Sequence, residues 1–193
     1  SVASPHGELL EFFVVLVEAG RLTPRLWKLQ KGDSIDVSQK AAGSFTLGHC
    51  PEGNTLWLIG TGTGLAPYIA MLRTQEPWDR YQKIVVVHGV RHLQDLAYQE
   101  EMAQCTSRGN GRFSYVPVVS REENPDGLKG RITTCIENGS LEDYSQATLS
   151  KESAIMLCGN PDMLDDCERL LAARNIVKHK KKAPGQIVIE RYW

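Results

Sequence analysis

The sequence has no run approaching the roughly 18–20 consecutive apolar residues that a membrane-spanning helix needs, and no segment patterned as a secretory signal. Nor has it an excess of charge: 22 Lys and Arg against 23 Asp and Glu leave a net charge of −1, which argues against broad nucleic-acid binding. Its five cysteines, Cys50, Cys105, Cys135, Cys158 and Cys167, include no C-x-x-C pair. That excludes a four-cysteine iron–sulfur cluster of recognisable spacing and leads us to expect reduced thiols in a cytoplasmic protein. An initiator methionine is missing as well. The chain opens SVASPHGELLEFFVVLV and enters a strand-like run almost at once, as expected if an upstream part has been removed.

Two common nucleotide fingerprints also fail. Residues 57–73, WLIGTGTGLAPYIAMLR, form an apolar strand, a glycine-rich turn and a proline-led helix, the arrangement in which α/β proteins bind phosphates. A P-loop would follow Gly64 with Lys, whereas Leu65 and Ala66 stand there; the dinucleotide pattern lacks its third glycine, replaced by Leu65. The turn is therefore either a ligand cradle of another kind or a tight connection with no ligand.

The 193 residues, 41% of them hydrophobic, suffice for one substantial core or for one domain plus part of another. Residues 10–17 (LEFFVVLV) and 33–38 (DSIDVS) read as strands. Between them RLTPRLWKL reads as a helix, with Thr23 as N-cap and Pro24 in the first turn. A Gly/Pro/Asn-rich connection puts a domain boundary near residues 50–54. Beyond it, strand candidates at 55–60, 83–88, 112–119, 153–158 and 186–191 alternate with helix candidates at 65–76, 93–105, 131–138 and 161–174. Several of the strands are continuous apolar runs, as in sheets covered on both faces. Alternation of this kind predicts an α/β fold with a doubly wound, mostly parallel sheet, in which ligands bind outside the carboxyl ends of the strands.

That rule selects the candidate residues. Gly60-Thr61-Gly62-Thr63-Gly64 follows the first of these strands, and Arg91 follows the second, with Asp95 supporting the next helix. Ser120 and Arg121 follow the third, and Arg131 comes ten residues later. Together they make either a phosphate clamp of charge-assisted bonds or a set of solvated surface charges. Cys158 ends the fourth strand before Gly159, Asn160 and Pro161, as a ligand-facing thiol or a small buried hydrophobe. The chain closes on ERYW, two aromatics that cover either a planar ring or another domain. The basic run KHKKK at 178–182 is a docking patch or the complement of a helix dipole.

The whole chain resembles the bacterial ferredoxin/flavodoxin–NADP reductases, those ending in Tyr-Trp. The segments carrying the likeness are SVASP, LEFFVVLVEAGRLTPRL, GTGTGLAPY, VHGVR, VVSRE, the Gly-Arg at 130–131, LCGNPDM and ERYW. The resemblance implies the carboxyl-terminal part of an antiparallel FAD-binding β-barrel over 1–52 and an NADP-binding α/β domain over 53–193. It implies FAD contacts at Ser1, Phe13, Val14, Val15, Leu16, Arg21, Leu22, Thr23, Thr63, Tyr192 and Trp193. NADP contacts would be Val90, Arg91, Ser120, Arg121, Arg131, Asn160, Pro161, Asp162 and Asp166, with Arg121 and Arg131 on the 2′-phosphate. Ser1, Cys158, Glu190 and Tyr192 would surround the reacting rings, Tyr192 as a gate where nicotinamide must stack.

The implied reaction passes hydride between NADP(H) and FAD and single electrons to or from ferredoxin or flavodoxin, which would dock at Lys178, Lys180, Lys181 and Lys182. A monomer is expected, with no metal and no nucleic-acid partner. The alternatives are an NADH-dependent flavin reductase serving an oxygenase, or a nucleotide-binding module without activity.

Overall fold

Six parallel strands form, five of them from the expected apolar runs: β1 (Thr55–Thr61), β2 (Lys83–Val90), β3 (Phe113–Val119), β4 (Leu128–Lys129), β5 (Ser153–Gly159) and β6 (Ile187–Arg191), the two-residue β4 falling in no expected run. The computed structural model describes residues 1–7, 9–38 and 42–191. The strand order is β4-β3-β2-β1-β5-β6. From β1 the chain steps outward through β2, β3 and β4, then crosses back to lay β5 on the other flank of β1. The strand order thus reverses between β1 and β5, and the crevice between them is where a sheet of this kind binds ligands.

Helices cover both faces. On one, α2 (Ala66–Leu72), α3 (Glu76–Arg80) and α4 (Gln99–Gly109) pack with Leu56, Leu58, Ile84, Val86 and Met156. On the other, α5 (Ile132–Glu137), α6 (Ser140–Ser145) and α7 (Pro161–Ala172) pack with Trp57, Ile59, Val85, Val87 and Leu157. Each central strand feeds both clusters through alternate side chains, and β5 is buried at every position.

Two expected helices are cut short by identifiable causes. The helix expected over 65–76 ends at Leu72, because Pro77 cannot continue it and instead sits in the first turn of α3. The Trp78 indole N–H then donates to the Leu72 carbonyl (2.9 Å), satisfying an acceptor freed at the helix end. The helix expected over 93–105 starts only at Gln99. Leu93–Asp95 is a separate 3-10 turn, and Tyr98 adopts a left-handed φ of 56° between the two. Asp95 supports that turn by accepting from the His92 N–H (3.0 Å).

The strands expected at 10–17 and 33–38 do not form. Phe12 makes one isolated antiparallel bridge with Val2, and no described strand lies beside the rest of the run. A strand needs a neighbour to take its alternate N–H and C=O groups, and β propensity alone does not supply one. The short helix α1 (Thr23–Leu26) lies where expected, but Leu22 is its N-cap. The Thr23 hydroxyl is spent elsewhere, accepting from Val17 N–H and donating to Val17 C=O.

What anchors residues 1–13 to the sheet is a charged cluster. The Arg73 guanidinium donates to Glu101 (2.8 Å), Glu11 (2.6 Å) and the Ala3 carbonyl (3.0 Å). Tyr98 adds its hydroxyl to Glu11 (2.6 Å) and takes the edge of Phe13 at 5.6 Å between ring centroids. The boundary segment is pinned likewise, as Arg80 donates to the carbonyls of Leu47 and Cys50 and pairs with Glu52.

Candidate functional site

Parallel strands end together, and the residues at their carboxyl ends form two groups. The first lies at the reversal point, where Gly60 of β1 pairs with Cys158 of β5 and Cys158 with Glu190 of β6. The Glu190 carboxylate accepts from the Ser1 hydroxyl at 2.7 Å and lies 3.8 Å from the buried Cys158 sulfur. A side chain added at Gly43 would come within 3.9 Å of Glu190, so the backbone at Gly43 passes close to it. Three residues from opposite ends of the sequence thus share one carboxylate. It can hold or pass a proton between a hydroxyl and a thiol.

The glycine turn beside this group divides its labour. After β1 the chain tightens into a 3-10 turn, Gly62–Leu65, leading into α2. Gly64 is a packing residue: a Cβ there would stand 2.5 Å from the Cys158 carbonyl. Gly62, at φ +53, has open space where a side chain would go. Only this middle glycine offers close approach to a ligand; the outer ones bring β1, α2 and β5 together. Across the crevice Gly159 takes φ +134, and a Cβ would meet the Thr61 hydroxyl at 2.2 Å. That hydroxyl accepts instead from Asn160 N–H (3.0 Å), latching the ends of β1 and β5.

The second group runs along the ends of β2, β3 and β4. Ser120 N–H donates to the Val90 carbonyl and Arg121 N–H to the Arg91 carbonyl, binding the two loops as a continuation of the sheet. Gly130 N–H donates to Val119, bringing Arg131 to the same edge as the N-cap residue of α5. Glu122 braces these loops further by accepting from Leu93 N–H (2.5 Å) and facing His92 at 3.7 Å.

From Arg73 onward the arginines fall into two sets. Among the described residues, Arg73, Arg80, Arg108, Arg112, Arg169, Arg174 and Arg191 all donate to carboxylates, carbonyls or a side-chain amide. The guanidinium groups of Arg91, Arg121 and Arg131 do not; all three residues are exposed, at the ends of adjacent strands. Three cations with no internal counter-ion on one edge suit a polyanionic ligand.

Other expected residues stand as follows. Asn160 caps α7, its side-chain oxygen accepting from Asp162 and Met163 N–H, with Pro161 in the first turn. Asp166 pairs with Arg169 (3.1 Å). Phe13 turns its ring to Tyr98, Val14 is half-buried, and Val15, Leu16, Arg21 and Leu22 are exposed. Lys178 bridges to Ile187 at the start of β6, so the lysine-rich hairpin with Lys180, Lys181 and Lys182 lies toward the opposite end of that strand from Glu190. Tyr192 and Trp193 lie outside the described residues. Burial raises the thiols of Cys50 and Cys105 to about 11 and of Cys167 to about 12, so these are inert core groups. Among the described residues, no group of His, Cys, Asp and Glu could hold a metal ion and no helix is long and apolar enough to cross a membrane.

Two residues went unmarked in the sequence, Glu122 and His88. Glu122 gives no sequence signal, because its bond to Leu93 depends on two loops meeting. His88 does give one: a lone imidazole inside the apolar run KIVVVHGV.

The model of the oxidoreductase NAD-binding domain family matches residues 58–169. The flavodoxin/ferredoxin–NADP reductase of Escherichia coli (strain K12) is 40% identical over 100% of this chain and 78% of its own length. That of Buchnera aphidicola subsp. Baizongia pistaciae is 37% identical with the same coverage. A crystal structure of a ferredoxin NADP+ reductase from Neisseria gonorrhoeae with bound FAD and NADP superposes with a TM-score of 0.93 at 32% identity, covering 100% of this chain and 78% of that one.

Proposed function

As this chain belongs to the ferredoxin/flavodoxin–NADP reductase family, an oxidoreductase family using FAD and NADP(H), we propose a division of its site residues between the two cofactors. Residues 53–193 form the NADP-binding domain and residues 1–52 the carboxyl-terminal part of the FAD-binding barrel. Support for the second assignment is the match of the whole chain, residues 1–52 included, to the path of an FAD-containing reductase. When bound, the nicotinamide and flavin rings carry the hydride and electron chemistry, and electrons are exchanged with ferredoxin or flavodoxin.

The residues present suit such ligands. The unneutralised guanidinium groups of Arg91, Arg121 and Arg131 carry the reading. Arg121 and Arg131 take the 2′-phosphate of NADP, and Ser120, Val90 and Arg91 line the same edge. Asn160, Pro161, Asp162 and Asp166, at the start of α7, take the nicotinamide half. Arg21, also without a described side-chain partner, takes the FAD pyrophosphate, with Leu22, Thr23 and Phe13 to Leu16 alongside. Thr63, Tyr192 and Trp193 flank the flavin. Ser1, Cys158 and Glu190 form the polar wall at which the rings meet; Glu190 fixes the Ser1 hydroxyl and is the group able to hold a proton there. The enzyme is a ferredoxin/flavodoxin–NADP(+) reductase acting as a monomer, and Lys178, Lys180, Lys181 and Lys182 steer its acidic carrier.

The test compares cofactors. Arg121→Ala and Arg131→Ala each lower kcat/KM for NADPH by about 10- to 100-fold, the worth of a charge-assisted bond, while NADH turnover stays within about twofold. An unchanged NADPH-to-NADH ratio in both variants overturns the assignment.

A further inference from the structure

Beneath the glycine turn lies a buried histidine to which the cofactor reading gives no part. His88 stands on β2 between Gly60 of β1 and Pro117 of β3 and is wholly inaccessible to solvent. Alternation along β2 puts its ring on the face of Ile84 and Val86, where an unsatisfied polar group is costly. Both ring nitrogens have partners: Nε2 lies 3.1 Å from the Gly62 carbonyl and Nδ1 3.3 Å from the Tyr115 hydroxyl.

Those partners fix the proton. A carbonyl can only accept, so Nε2 carries the hydrogen and donates it; Nδ1 is left with its lone pair and accepts from Tyr115. Burial keeps the ring neutral, drawing its pKa down to about 4 against the opposing pull of the Gly62 carbonyl and Asp95.

The bond falls on the one glycine of the turn that is not packed against another element. Gly62 has φ +53 and no atom within 4 Å of where its Cβ would stand. A glycine there has the widest choice of backbone angles, and a turn that must keep one shape needs a fixed point. The described peptides are all trans, and a planar trans peptide sets its N–H opposite its C=O. With the Gly62 carbonyl drawn to the imidazole, the Thr63 N–H points away from that ring.

We propose that His88 is a positioning residue for the reaction: its Nε2–H locks the Gly62–Thr63 peptide so that the turn presents Thr63 to the flavin. This rests on the reading of Thr63 as a flavin contact, and the two can fail separately. Tyr115 serves by holding the imidazole in the donating tautomer.

The first measurement needs no variant. A long-range 1H–15N correlation spectrum of the 15N-labelled protein at neutral pH shows His88 as the neutral Nε2–H tautomer; the Nδ1–H form or the cation overturns the proposal. In the second, flavin reduction by NADPH is followed by stopped flow in the FAD-loaded wild type, H88Q and H88L. Gln offers an N–H at the reach of Nε2 and Leu does not. H88L slows the limiting rate about tenfold while the NADPH dissociation constant stays within about twofold, and H88Q recovers most of the rate. Equal rates in wild type and H88L overturn the proposal, as does an equal loss in both variants, which marks a packing defect. If NADPH leaves the wild-type flavin oxidised, the functional reading fails, and the tautomer still judges His88. Should a variant fail to fold, the tautomer decides alone.

Discussion

Residues 10–17 (LEFFVVLV) and residues 153–159 (SAIMLCG) are both short apolar runs, and the first is richer in β-branched and aromatic side chains. In the structure the second is a fully buried strand between β1 and β6, whereas the first leaves Leu10 58% and Val17 53% exposed. The contrast extends to the regions around them. The sheet region closes its polar backbone groups in ladders and its side chains in two cores. The region before it is held by a few directed contacts, chiefly through Arg73 and Arg80. Propensity is thus the weaker determinant, and a hydrogen-bonding neighbour the stronger.

The largest effect that sharpens this comparison is in core packing. Ile155→Ala removes a wholly buried side chain from β5 and lowers unfolding free energy by about 2–5 kcal/mol, while Leu9→Ala stays within about 0.5 kcal/mol. Urea denaturation of the two variants measures both, and similar losses would erase the distinction.

Next comes the clamp. Arg73→Ala leaves Glu11 and Glu101 facing each other across a vacated, partly buried position, at a cost of about 1–3 kcal/mol after allowance for solvent. The larger sign is local: limited proteolysis cuts faster within residues 5–38 and no faster within the sheet. Uniform cutting throughout would mean that the clamp is not what joins the regions.

Acid separates the regions by pH. Below about 6.5 the unfolded chain takes up a proton that folded His88 refuses until about pH 4, so stability falls as pH drops across that window and levels off beneath it. Glu11 behaves otherwise: hydrogen bonds from Arg73 and Tyr98 hold its carboxyl below 4.5, and its stabilisation, present above that value, is lost as pH falls further. Stability measured against pH therefore declines first through the sheet and then through the clamp. His88→Gln flattens the upper window alone, and an unchanged slope there would refute the assignment.

The smallest effect concerns no stability at all. Charge reversal at Lys180–Lys182 leaves the melting temperature and ferricyanide reduction unchanged, but slows reduction of the protein carrier several-fold at low salt. An equal loss with both acceptors would remove the hairpin from carrier recognition.

Much of the architecture was legible in the residues. Five of the parallel strands lie within two residues of their apolar runs because a strand covered on both faces is largely apolar, whereas β4, a Leu-Lys pair, carries no such pattern. The proline-led start of α7 was readable because a missing N–H acts locally, whereas the early end that Pro77 imposes on α2 was not read. The glycine turn was recognisable as special, but its mismatch with both fingerprints became intelligible only once two of its glycines proved to be packing contacts.

Sequence by itself determined the alternation, the strand positions and which side chains reach the carboxyl ends, since these depend on period and on neighbours in the chain. Tertiary structure alone decided that Ser1, Cys158 and Glu190 share one carboxylate, that Tyr98 takes a left-handed conformation and breaks a helix, and that Arg91, Arg121 and Arg131 stay unneutralised where other arginines find partners. It decided, too, that 10–17 forms no ladder. Each of these is a pairing between distant segments, and a hydrogen bond or ion pair between such segments exists only after the backbone has brought its two ends within about 3 Å.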